Sequence, residues 1–170
     1  MEGTVYKSTG SWYTVRTGEG DFYECRIKGK FRLKGIKSTN PVSVGDEVVF
    51  EVDGAIENAQ GIITEIKDRK NYIIRKSVNL SKQTHIIAAN LDQVFLIVTL
   101  NNPPTFTSFI DRFLVTSEAY HIPAILLFNK IDTYNEEELD EIKYLAKLYR
   151  EIGYTCIGIS AKTGKNVDKV

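Results

Sequence analysis

The chain has 170 residues, 42% hydrophobic and 26% charged, with a formal net charge of +0. That composition is ordinary for a globular protein of one large or two small domains and argues against a disordered or fibrous chain. No apolar run is long enough to span a bilayer and no secretory pattern is present. Cys25 and Cys156 are isolated in strand-like segments, which fits reduced thiols of a cytoplasmic protein better than a disulfide or a metal site.

From the N-terminus to about residue 76 the pattern is short strands and turns. Gly3–Ser8 and Ser11–Thr17 flank Thr9-Gly10, and Asp21–Ile27 and Lys30–Lys34 flank Lys28-Gly29. Pro41–Asp46 leads into Glu47–Val52, where Val48, Phe50 and Val52 alternate with Glu47, Val49 and Glu51. Asp53-Gly54 is a turn signal and Gly61–Ile66 follows. Five short strands at this spacing predict a small β-barrel of the oligonucleotide-binding (OB) type.

The charges of this half are ordered. Arg26, Lys28, Lys30, Arg32 and Lys34 alternate with Cys25, Ile27, Gly29, Phe31 and Leu33, and Lys37 lies nearby. Side chains with period two share one face of a strand or hairpin, so this basic set projects together. Arg69, Lys70, Arg75 and Lys76 form a second basic group. Trp12, Tyr13, Phe22 and Tyr23 are expected to be exposed and to offer stacking surfaces. A basic face beside aromatic rings is the electrostatic footprint of a nucleic-acid binder. A solvated edge strand guarded by lysines is the plainer alternative.

From about residue 90 the grammar becomes α/β. Val94–Leu100 is a predicted buried strand, and Thr107–Tyr120 a helix with an apolar stripe of Phe109, Ile110, Phe113, Leu114 and Tyr120. Ala124–Phe128 is the next strand. Asn135, with Glu138 three residues later, predicts a capping box. Glu136–Glu138 and Arg150 suit the two ends of the helix dipole, and Leu139, Ile142, Leu145, Leu148 and Ile152 are the expected apolar stripe. Gly153 ends this helix, Tyr154–Ile159 is a third strand, and Asn166 is expected to open a further helix.

Asn129-Lys130-Ile131-Asp132 follows the second of these strands directly. Guanine presents two adjacent N–H donors, and one carboxylate accepts both at once in a charge-assisted fork. Asp132 is the candidate carboxylate, Lys130 covers the base face with its aliphatic stem, and Asn129 ties the loop to its neighbours. Adenine offers no such pair, so it leaves a desolvated carboxylate unmatched. The third strand ends in Ser160-Ala161-Lys162, whose Ala161 amide suits guanine O6 and whose Lys162 packs across the base or ribose. Two such loops at the C-terminal ends of parallel strands stand where open α/β sheets bind ligands.

No G-x-x-x-x-G-K-[ST] loop and no D-x-x-G occurs in these residues. Between Gly158 and Gly164-Lys165-Asn166 the glycine spacing is one residue too long, and Asn166 replaces the hydroxyl residue. No catalytic residue is identified.

Gly45-Asp46, then Arg69, Asn71 and Arg75, then Ala88 through Gln93, Ile110-Asp111-Arg112, Asn129 through Asp132 and Ser160 through Gly164 occur in that order. In these motifs the chain resembles the circularly permuted GTPases of small ribosomal subunit biogenesis, the RsgA family. The resemblance implies an OB barrel over 1–76, a connector over 77–90, and over 91–170 the guanine-specificity part of a P-loop-GTPase-like parallel domain. It also implies GTP hydrolysis with Mg²⁺ in a cytoplasmic protein that contacts the small ribosomal subunit and its rRNA, without a membrane partner. In that family the phosphate loop, the magnesium ligands and a zinc-binding region follow the guanine loops. The chain is therefore expected to stop before its phosphate-binding half, to be inactive as a GTPase alone, and to self-associate through the edge of strand 94–100. An RNA-binding OB module with a vestigial nucleotide domain is the competing expectation.

Overall fold

The computed structural model describes residues 1–27, 41–52, 60–76 and 84–170. The expected Lys28-Gly29 turn, the Lys30–Lys34 strand, Lys37 and Asp53-Gly54 lie outside the described residues, as do the side chains of Arg75, Lys76 and His85. The chain forms two compact units, Met1–Leu91 and Asp92–Val170.

In the first unit, β1 (Glu2–Thr9), β2 (Trp12–Thr17), β3 (Phe22–Ile27), β4 (Glu47–Val52) and β5 (Gly61–Ile66) close a barrel in the order β1-β2-β3-β5-β4. The β3–β5 pair is parallel and the other ladders are antiparallel, the arrangement of an OB fold. Val5, Val15, Cys25, Val48, Phe50 and Ile63 fill the interior. Along β4 the expected alternation holds, with Val48 and Phe50 buried and Glu47 and Glu51 exposed. Gly61 lets the barrel close, since a Cβ there would sit 2.4 Å from Cys25 Sγ and 2.9 Å from a ring carbon of Phe50. Burial pushes the Cys25 thiol up to about 11, so it is an inert core group.

Two of the aromatics expected at the surface are not there. Tyr13 is 2% exposed and packs in the barrel core, and Tyr23 is half-buried with its ring 5.3 Å from that of Phe50. Adjacent residues of a strand face opposite ways, so Trp12 and Phe22 outside require Tyr13 and Tyr23 inside.

A second pair of strands, β6 (Tyr72–Lys76) and β7 (Thr84–Ala89), forms an antiparallel ladder that the sequence did not announce. A polar knot ties it to the barrel. Asp46 is fully buried, and Arg69 donates to it twice, from Nε to Oδ1 and from Nη2 to Oδ2, each at 2.6 Å. Arg69 also donates to the Pro41 carbonyl at 3.0 Å, and the Ser43 amide donates to Asp46 Oδ2 at 2.8 Å. Asn90 donates to the Gly45 carbonyl and accepts from the Lys70 amide, and Asn71 both donates to and accepts from the backbone of Leu91. At Gly45 φ is +86° and an added Cβ would lie 2.0 Å from the Ala89 carbonyl oxygen, so only glycine fits. Arg69, grouped with the basic residues on sequence, is therefore a structural ion-pair residue.

The second unit is a parallel sheet of order β10-β9-β8, formed by β8 (Val94–Val98), β9 (Ala124–Phe128) and β10 (Thr155–Gly158). Helices α1 (Thr107–Ala119) and α2 (Glu136–Glu151) share one core with Leu96, Val98, Leu126, Phe128 and Cys156, which lie in register on one face. On the opposite face Phe95 is 41% and Ile97 59% exposed. β8 ends two residues earlier than expected, because Thr99 turns the chain by donating to the Pro103 carbonyl.

The capping box at α2 forms as expected, with Asn135 Oδ1 accepting from the Glu138 amide and Glu138 Oε2 from the Asn135 amide, both at 2.9 Å. The buried stripe of α2 is Ile142, Ala146 and Tyr149, while Leu148 and Ile152 are exposed. Tyr149 displaces the expected aliphatics because its hydroxyl donates to Asp111 of α1 at 2.9 Å, which ties the two helices. In place of the helix expected from Asn166 there is one 3-10 turn, Val167–Lys169.

The Asp46–Arg69 pair yields the first prediction. Arg69→Ala strands a buried carboxylate and should lower stability by about 3–5 kcal/mol, measured by urea denaturation. Replacing both partners with apolar residues of similar volume should cost much less.

Candidate functional site

The parallel pairing of β9 with β10 aligns Phe128 with Gly158, so the segments that leave the two strands run side by side. Backbone bonds continue past the strand ends: the Ile159 amide donates to the Phe128 carbonyl at 2.8 Å and the Ile131 amide to the Ile159 carbonyl at 3.2 Å. Asn129 then joins the loops through its side chain. Its Oδ1 accepts from the Lys130 amide at 2.8 Å and from the Ala161 amide at 3.0 Å.

Asp132 lies at the exposed rim of this junction. The buried Ser160 hydroxyl donates to its carboxylate, and this bond, followed by the charges of Lys162 and Lys130, holds the Asp132 carboxyl below the usual carboxylate range despite some desolvation. Ser160 also accepts from the Thr163 amide at 3.1 Å, so one buried hydroxyl organises both its own turn and the neighbouring carboxylate. Lys130 adopts φ +68°, a left-handed conformation that a non-glycine residue rarely occupies, with its carbonyl accepting from Thr133. All six residues singled out on sequence, Asn129, Lys130, Asp132, Ser160, Ala161 and Lys162, therefore fall in these two adjoining loops.

One detail differs from the expected division of labour. The Ala161 amide, assigned on sequence to guanine O6, is engaged with Asn129. A base carbonyl must share that amide or re-aim it.

Sequence reasoning also missed the support beneath Lys130. Its ammonium donates to the Asn102 carbonyl in the turn that follows β8. The same turn is pinned by the Leu100 amide donating to the Tyr134 hydroxyl at 3.0 Å and by Asn101 donating to Glu138 Oε1 at 2.6 Å. The signal was there in Asn101-Asn102-Pro103, a turn at the same end of the sheet as the two loops.

Of the basic residues assigned to RNA, Arg26 is exposed on β3 with its guanidinium 3.7 Å from the Trp12 ring centroid. Lys28, Lys30, Arg32, Lys34 and Lys37 lie outside the described residues. Among the described residues no group of three or more His, Cys, Asp or Glu could hold a metal ion. No described helix is long and apolar enough to cross a membrane.

An OB barrel preceding a parallel sheet whose strand ends carry N-K-x-D and S-A-K loops defines a circularly permuted GTPase fold. Comparison with known proteins agrees. Residues 66–170 match the family model described as RsgA GTPase, and residues 2–63 the one described as RsgA N-terminal domain. The chain belongs to the RsgA GTPase family. It is 74% identical over 170 residues to the small ribosomal subunit biogenesis GTPase RsgA of Christiangramia forsetii, covering 100% of this chain and 54% of that protein. For the protein of the same name from Flavobacterium johnsoniae the figures are 66%, 100% and 52%. Among solved structures, YjeQ from Thermotoga maritima is similar with TM-score 0.75 and 32% identity over 99% of this chain and 54% of that one. YloQ, described as a circularly permuted GTPase, is similar with TM-score 0.67 and 32% identity, covering 95% of this chain and 52% of its own. The chain spans about half the length of the curated relatives it matches.

The Ser160–Asp132 bond can be tested by titration. Because the folded carboxyl lies below its ordinary value, its favourable interaction is present above that value and is lost as pH falls through the lowered one. Ser160→Ala should move the Asp132 midpoint upward, read by carboxyl carbon NMR.

Proposed function

We propose that this chain supplies the base-selecting and RNA-contacting parts of a GTPase that acts in small ribosomal subunit maturation, converting GTP to GDP and phosphate. The observation that carries the reading is the joining of two loops by Asn129, with the Asp132 carboxylate exposed at their rim. Asp132 accepts guanine N1–H and N2–H, Lys130 and Lys162 lie against the base, the Ala161 amide meets O6, and Asn129 and Ser160 order the loops. The family relationship supports GTP as the nucleotide.

Phosphoryl transfer to water is catalysed mainly by positioning and by neutralising charge on the phosphates, the chemistry that Mg²⁺ supplies. The 170 residues contain no G-x-x-x-x-G-K-[ST] motif. The small subunit and its rRNA are the proposed partners, contacted by the barrel through Arg26 together with Lys28, Lys30, Arg32, Lys34 and Lys37. A cytoplasmic location follows from that partner.

In the full-length protein, Asp132→Asn should weaken GTP binding and invert selectivity from GTP towards XTP, because the amide no longer accepts both guanine N–H donors. An unchanged GTP-to-XTP ratio in nucleotide-binding measurements sinks the assignment of Asp132. Binding to small subunits that ignores GTP points instead to an RNA-binding module with a vestigial nucleotide domain.

We also propose that the 170-residue chain self-associates through β8, which stands at one edge of its sheet and exposes Phe95 and Ile97. An unpaired apolar edge is a template for another strand. Sedimentation at rising concentration should show a dimer that Ile97→Lys weakens; a monomer at all concentrations refutes it.

A further inference from the structure

Helix α2 carries a second apolar stripe that the core does not use. Tyr144, Leu148 and Ile152 recur at intervals of four residues, so they share one face, and they are 67%, 40% and 64% exposed. The buried face is Ile142, Ala146 and Tyr149. The flank with Lys143 and Arg150 borders a cleft shared with Gly158 and Asn166, so the Leu148–Ile152 flank is the one turned towards α1. The Tyr149 hydroxyl donates to Asp111 of α1 at 2.9 Å, and Tyr154, just past α2, donates to Glu118 of α1 at 3.3 Å. Val115 lies one helical turn from each of those two acidic residues and is 68% exposed. Four apolar side chains thus stand on one outer face of the helix pair.

The border of this face is acidic. Glu118 of α1 and Glu137, Glu141 and Glu151 of α2 are all exposed. The three on α2 stand one or two turns from stripe residues, which places them along its edges. Two cations lie close by and both are engaged. Lys147 reaches Glu151 at 3.8 Å, and Arg112 donates to the Ser108 carbonyl at 3.1 Å. A row of carboxylates repels phosphates, so this face is the wrong sign for rRNA. A clustered apolar stripe at a polar border marks an interaction surface.

We propose that this α1–α2 face docks a Lys/Arg-rich amphipathic helix of a protein on the small ribosomal subunit. The proposal rests on the reading of the chain as part of a GTPase that acts on that subunit, and it adds a protein contact to the rRNA contact of the barrel. An apolar stripe at helical spacing receives the apolar face of a partner helix laid along it. Burial of Val115, Tyr144, Leu148 and Ile152 supplies affinity, and the carboxylate border steers and orients a cationic partner. Proteins that live on RNA carry basic segments of this kind. A second copy of this chain is a poor occupant, because its own carboxylate border would meet this one.

The full-length protein, loaded with a non-hydrolysable GTP analogue, is titrated with small ribosomal subunits and, separately, with the protein-free rRNA of the same subunit. Leu148→Ser combined with Ile152→Ser, both at exposed positions, should weaken subunit binding about ten- to a hundred-fold. Affinity for protein-free rRNA and for guanine nucleotide should not change. Glu141→Lys combined with Glu151→Lys decides the chemistry of the partner. It should also weaken subunit binding, whereas a face laid on RNA would bind more tightly once lysines replace its carboxylates. Tighter binding by the lysine variant, or unchanged subunit binding by either variant, overturns the proposal. An equal loss on protein-free rRNA overturns it as well. A serine variant that melts well below the unaltered free protein shows the face packed inside the full-length molecule, and the proposal falls. In each of these cases the subunit-directed reading stands. Failure of the unaltered protein to bind subunits overturns both.

Discussion

One side-chain carbonyl, that of Asn129, makes a site out of two stretches of chain some thirty residues apart. It accepts from the amide that follows it and from Ala161 across the gap between strands. Backbone bonds from Ile159 to Phe128 and from Ile131 to Ile159 also link the two stretches, and the shared acceptor fixes the loop tips to one another. Beside it the buried Ser160 hydroxyl lowers the Asp132 carboxyl below the usual carboxylate range. Base recognition of the proposed kind asks for a preformed acceptor, because a mobile carboxylate gives back in ordering entropy part of what its hydrogen bonds provide. The left-handed Lys130 and the bonds from Asn101 and Tyr134 serve the same end by fixing the loop from below.

The first unit shows how polar residues in a family motif can be wholly structural. Gly45, Asp46, Arg69, Asn71 and Asn90 meet in one knot that closes the barrel onto the β6–β7 ladder. Their hydrogen-bonding capacity is turned inward on backbone groups and on one another. The forked contact of Arg69 with Asp46 needs the planar guanidinium, and the close approach at Gly45 leaves no room for a side chain. These residues belong to the motifs that carry the likeness to the family, yet they position the barrel's surface and are not part of it.

That surface is governed by strand parity. Trp12 and Tyr13 are neighbours of similar chemistry, as are Phe22 and Tyr23, and the fold sends one of each pair inward. The outward members stand beside Arg26 and Arg16, which turns isolated rings into cation-backed platforms. In the second unit the same parity places Leu96 and Val98 beneath the helices and leaves Phe95 and Ile97 outside them.

Period and punctuation determined much of this protein: the barrel strands, the switch to α/β grammar, the capping box at Asn135, and the placement of the segments 129–132 and 160–162 at neighbouring strand ends. Those features are local, written in alternation, in turn residues and in short motifs whose geometry follows from their own backbone. Tertiary structure alone decided the rest, because it depends on partners distant in sequence. The β6–β7 ladder, the burial of Arg69 against Asp46, the seat of Tyr149 on Asp111 and the exposure of Leu148 and Ile152 each depend on what lies opposite. The engagement of the Ala161 amide by Asn129 is of the same kind, a choice between acceptors that only the packing of one loop against the other could make.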